Sequence, residues 1–133
     1  MDPSQLHWPA ILCAALLTFL LGGLWYSPLL FGRAWQRLVG LDDAELGKGL
    51  GRVFGGAAIC ALVGATNLAM FLGPDATLGF GLAAGAATGV GWIATALTTT
   101  FLFERRPPTL IAIDAGYHAV AYTAMGALLG AWH

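Results

Sequence analysis

Two ionisable side chains stand inside an otherwise apolar run, Leu110 to Trp132, LIAIDAGYHAVAYTAMGALLGAW. Asp114 and His118 are spaced i and i+4, so they share one face of a helix. A carboxylate beside an imidazole orients it and favours its charged form, and histidine titrates near neutral pH. Such a pair suits a proton-responsive site in a pocket open to the cytoplasm. A structural role fits the same residues. Asp114 falls in the first turns of its helix, where the dipole favours an anion, and would pair with Arg105, Arg106 or Tyr26. His118 would then bond a threonine or a backbone carbonyl.

The elements that hold this pair follow from charge-free runs. Pro3 to Gly32, Val53 to Pro74 and Ala76 to Phe103 contain no Asp, Glu, Lys or Arg, and Pro107 to His133 contains only Asp114. A crossing helix needs about 20 apolar residues. The runs predict an all-α fold, an integral membrane four-helix bundle forming a single transmembrane domain over 1–133, with spans near 8–31, 53–73, 77–103 and 109–132. The start, MDPSQLH, lacks the Lys or Arg of a signal peptide, so the first run reads as a retained span. Pro28 should kink or end it.

Orientation rests on the basic residues. Arg33, Arg37, Lys48 and Arg52 lie between the first and second spans, and Arg105 and Arg106 between the third and fourth. The positive-inside rule puts both loops in the cytoplasm and both termini outside. The first loop includes LDDAEL, where Asp42 precedes Glu45 by three residues, a capping-box pattern for a short amphipathic helix on the cytoplasmic membrane surface. GKGLG lacks the GK[ST] of a phosphate loop and reads as flexible linker.

Counting at about 1.5 Å per residue sets depths. Asp114 lies roughly 6 Å and His118 about 12 Å into the hydrocarbon from the cytoplasmic side. Tyr26 and Ser27 come near the level of Asp114, and Thr95 near that of His118. Trp25 and Trp92 would wall this polar layer, and Tyr117 stands beside His118. Trp25, Tyr26, Ser27, Trp92, Thr95, Asp114, Tyr117 and His118 are the candidate binding residues. Asn67, in the outer half of the second span, suits an interhelical hydrogen bond.

Glycine numbers 19 of 133 residues, which in a membrane chain favours close helix packing. Small residues recur every four positions in each span: Ala10, Ala14, Thr18 and Gly22; Gly56, Cys60 and Gly64; Gly81, Gly85 and Gly89; Gly126 and Gly130. On the fourth span the small residues form one stripe, and Asp114, His118, Ala121 and Met125 lie nearly opposite. Both sides therefore need cover, which points to a homo-oligomer or a polar pocket within the bundle.

Composition excludes several classes. The chain is 58% hydrophobic and 10% charged with a net charge of −1, so no nucleic-acid partner is expected. Cys13 and Cys60 read as packing residues rather than a disulfide. No GxSxG, HExxH or Walker motif is present, so no catalytic residue, cofactor or metal site is assigned. His7 and His133 should be solvated near the outer surface.

GGLWYSPLLFGRAW (Gly22 to Trp35), FERRP (Phe103 to Pro107) and DAGYHAVAYTAMGALLGAW (Asp114 to Trp132) together resemble the small bacterial membrane proteins called domain of unknown function 1761. The resemblance runs in order over nearly the whole chain. It implies a compact multi-helix membrane protein with no established activity, and its motif positions fall on Trp25, Tyr26, Ser27, Pro28, Phe31, Gly32, Trp35, Gly116, Tyr117, His118 and Gly126. The functional expectation is a binding or transport module for a small molecule, lipid or proton, with membrane lipid as its surroundings. The alternative is a structural or accessory membrane subunit whose polar groups lock helix packing.

Overall fold

Ser27 and Pro28 end the first long helix. Residues before proline avoid the helical region, and proline cannot supply the next N–H. The computed structural model describes residues 2–132. After a short 3₁₀ turn at Pro3–Gln5, α1 runs Trp8–Trp25, α2 Gly32–Val39, α3 Asp43–Leu46, α4 Leu50–Leu72, α5 Leu78–Thr88, α6 Thr95–Phe103 and α7 Pro108–Ala131. A π-helical turn, Gly89–Ala94, joins α5 to α6, so that one continuous helix spans Leu78–Phe103.

Among the described residues three helices, Trp8–Trp25, Leu50–Leu72 and Leu78–Phe103, are long and apolar enough to cross a membrane. That marks a membrane protein. Their outward faces carry large apolar side chains. On α1 these are Trp8, Leu12, Leu16, Leu20 and Leu24, at helical spacing of four. α7 has 24 residues but is not among the three. Its position explains its polarity: between Leu110 and Gly130 only Ala112 and Val120 are exposed. A helix covered by its neighbours can carry Asp114 and His118 where a lipid-facing one cannot.

The cover on α7 comes from both sides within one chain. On one side, α5 meets it through glycines. A Cβ on Gly81 would strike the Gly126 carbonyl, and one on Gly85 the Tyr122 carbonyl. At Gly89 it would lie 2.9 Å from the Ala119 Cα. The backbones touch directly, the contact that small residues at spacing four allow. On the other side, Met125 and Leu129 pack with Ile11 and Ala14 of α1 and with Ala65, Leu68 and Leu72 of α4. Of the two covers expected for α7, a homo-oligomer or the bundle itself, its neighbours in one chain supply the second.

Both ends of the chain meet the α4–α5 turn. The His7 and Trp132 rings lie edge to face at 5.1 Å. With Gly73 and Pro74 they line a cavity of about 210 Å³. His7 is half-buried there, and its Nδ1 is buried without a partner among the described residues, rather than solvated. His133 lies outside the described residues. The loops at the opposite end carry the basic residues.

Boundaries differ from expectation where loop chemistry intervenes. The first helix stops at Trp25 rather than at 31, and the chain turns through Tyr26 to Phe31 into α2, closed by Gly40 at φ 73°. α3 has the expected capping box, with Glu45 N–H donating to Asp42 Oδ1 at 2.7 Å and Asp42 N–H to Glu45 Oε1 at 3.4 Å. GKGLG is not a free linker: Gly49, at φ 63°, caps α4, which begins at Leu50.

Candidate functional site

Trp25 and Tyr26 end α1, and their side chains reach α7 as adjacent donors to adjacent residues. The Trp25 indole Nε1–H donates to the Ile113 carbonyl at 2.9 Å. The Tyr26 hydroxyl donates to Asp114 Oδ1 at 2.8 Å. α7 returns one bond, from the Tyr117 hydroxyl to the Thr18 carbonyl at 2.7 Å. Three side-chain hydrogen bonds thus cross one helix pair.

Small residues make room for these rings. A Cβ on Gly116 would lie 3.2 Å from Trp25 Cζ2, and one on Gly22 would lie 3.3 Å from the Tyr117 hydroxyl. Tyr26 sits between two other rings, Trp35 of α2 at 5.4 Å and Tyr117 at 5.5 Å, both edge to face. Trp25 packs on Phe31 at 4.9 Å. The turn after Pro28 therefore folds α2 back onto the donors, held by the Phe31 N–H on the Trp25 carbonyl and the Gly32 N–H on the Ser27 carbonyl. Its tightness requires Gly32, where a Cβ would strike the Tyr26 carbonyl.

Four of the eight candidate residues, Trp25, Tyr26, Asp114 and Tyr117, are brought together. Ser27 stands beside them, but its hydroxyl donates to the Leu24 carbonyl at 2.6 Å. His118 is half-buried, with its ring 5.1 Å from that of Tyr117. It makes no hydrogen bond among the described residues; Asp114, expected to hold it, accepts from Tyr26. Trp92 and Thr95 lie elsewhere. Trp92 is 74% exposed. Thr95 is exposed and donates to the carbonyls of Gly91 and Trp92 in its own helix. Depth counting fixes a level along a helix but not the face, and the π turn shifts the facing register just before Thr95.

Asn67 likewise donates within its own helix, to the Val63 carbonyl at 2.8 Å, rather than across to another. Intrahelical bonding satisfies Thr88, Thr98, Thr99 and Thr123 in the same way. The Ile113 and Thr18 carbonyls were not anticipated as acceptors. Their only sequence signal is indirect: Thr18 and Gly22 share the small-residue face of α1. Trp35, one of the motif positions, is a wall of the cluster. Cys13 and Cys60 are free thiols. No group of three metal-ligating side chains occurs among the described residues.

No curated protein and no solved structure matches this chain. The family model described as Protein of unknown function (DUF1761) matches residues 9–130, which include every residue of the cluster. The chain belongs to that family.

Proposed function

We propose that this chain is a four-span protein of the bacterial inner membrane, with both termini outside, acting as a structural or accessory subunit whose intramembrane polar groups lock helix packing. The observation that carries this reading is the Tyr26–Asp114 hydrogen bond at 2.8 Å. The carboxylate that chemistry would need is engaged by a side chain of the neighbouring helix. Trp25 and Tyr117 are likewise engaged inside the chain. Polar groups that cannot face lipid find their partners in one another. Placement of α7 as the fourth span follows from its 24-residue length and from the basic residues that flank it on one side.

One observation favours a second reading, a binding or transport module for a small molecule or proton. His118 is half-buried beside this cluster and has no hydrogen-bond partner among the described residues. Proton flux into liposomes containing a pH-sensitive dye separates the two. The locking role predicts flux equal to that of empty liposomes between pH 5 and pH 8, the range in which histidine titrates. A flux that His118→Gln abolishes, with the fold intact, would establish the second reading instead. A homo-oligomer through the lipid-facing surfaces remains a separate proposal, tested by the protein's mass in detergent.

A further inference from the structure

The helix Leu78–Phe103 and α7 touch closely only along part of their length. At Gly89 the backbones are still in contact with Ala119. The π turn begins there, and from Val90 onward a groove separates the helices. The groove is about 450 Å³, with Val90, Ala94 and Leu102 on one wall and Ala112, Ala115 and Gly116 on the other. Thr98 also lines it, but its hydroxyl is turned to the Ala94 carbonyl at 2.6 Å, which leaves the wall apolar.

The length of the groove is informative. Val90 to Leu102 covers roughly 18 Å at about 1.5 Å per residue. One leaflet of a bilayer contributes about half of its ~30 Å hydrocarbon core. The groove thus has one acyl chain's reach. It is closed at depth by the Gly89–Ala119 contact, so a crossing helix from a second copy could not follow it through the membrane.

The mouth is basic. Leu102 and Pro108, both groove residues, flank the loop that carries Glu104, Arg105 and Arg106. Arg106 pairs with Glu104 at 3.2 Å, and both are exposed. The Arg105 guanidinium donates to the Leu102 carbonyl at 3.3 Å, beside the groove wall, and has no acidic partner among the described residues. Arg105 also holds φ 61°, a left-handed conformation in which glycine or asparagine would be less strained.

We propose that this groove seats one acyl chain of an anionic phospholipid, with the lipid phosphate on Arg105 and Arg106. Basic residues at the ends of membrane helices attract anionic headgroups in this way. The proposal rests on the membrane reading but not on the Tyr26–Asp114 cluster. Release of the protein from membranes by alkaline carbonate would sink that reading, a different failure from those below.

The test follows the melting temperature of the full chain in neutral detergent. Phosphatidylglycerol or phosphatidylcholine with the same acyl chains is titrated in. Phosphatidylglycerol should raise the melting temperature well above the effect of phosphatidylcholine. Arg105→Gln and Arg106→Gln should each weaken its apparent affinity about fivefold, and Arg105→Lys should retain most of it. Ala112→Trp, which fills the groove from an exposed position, should abolish the response while keeping the lipid-free melting temperature. Ala94→Trp on the facing wall serves the same purpose should Ala112→Trp misfold. Equal responses to the two lipids, or a wild-type response in the tryptophan variants, would overturn the proposal. So would a dimer that Ala112→Trp converts to monomer, because the occupant would then be a second copy.

Discussion

Tyr26 and Asp114 stand 88 positions apart and share a 2.8 Å hydrogen bond, donated by the phenol to the carboxylate. The bond ties the end of α1 to the first turns of α7. Tyr26 also packs against Trp35 of α2, which the turn after Pro28 carries back to it. Tyr26 and Asp114 come from the helix ends that flank the basic loops, where the chain enters and leaves its apolar layer.

The neighbouring bond gives a first prediction. Trp25→Phe keeps an aromatic ring against Gly116 but removes the indole donor to the Ile113 carbonyl. That carbonyl retains its helical bond, so the loss should be about 0.5–1.5 kcal/mol. Thermal melting in detergent should show a modest decrease. An unchanged melting temperature would mean that the indole bond contributes nothing.

The glycine seam gives a second. Gly85→Leu forces a side chain into the Tyr122 carbonyl, and overpacking costs roughly 1–3 kcal/mol. Gly79→Leu, on the same helix where a Cβ would meet nothing within 4 Å, is the control. Gly85→Leu should melt well below wild type and Gly79→Leu close to it. Equal melting temperatures would place the close contact elsewhere.

Topology gives a third. A reporter active only in the periplasm should be active when fused after the C-terminus and silent when inserted near Gly47. The reverse pattern would invert the orientation drawn from Arg33, Arg37, Lys48, Arg52, Arg105 and Arg106.

Much of this arrangement was legible in the residues. Charge-free runs locate the long helices within a few positions, apart from the end of the first. Spacing of four picks out Gly81, Gly85 and Gly89 as a contact face, and counting from the helix ends puts Tyr26 level with Asp114. The rest depended on rotation about helix axes and on pairing choices. Trp92 and Thr95 are exposed, turned away from the cluster, and a π turn is not visible in a pattern of Gly, Ala and Thr. The i and i+4 spacing of Asp114 and His118 suggested a pair, but of the partners the sequence offered for Asp114 it is Tyr26, from another helix, that donates to it. Asn67 and the threonines bond their own helices, a local option always within reach of such side chains. Cover for both sides of α7 pointed to a homo-oligomer or a polar pocket within the bundle, because a linear sequence does not show which helix lies at the centre.

A double-mutant cycle on Tyr26→Phe and Asp114→Ala, read by unfolding free energy in mixed detergent micelles, measures the Tyr26–Asp114 lock directly. A locking bond between membrane helices predicts a coupling of about 1–2 kcal/mol, at the upper end for such pairs because the acceptor is a carboxylate. Effects of the two substitutions that add to within about 0.3 kcal/mol would show that the bond holds nothing together.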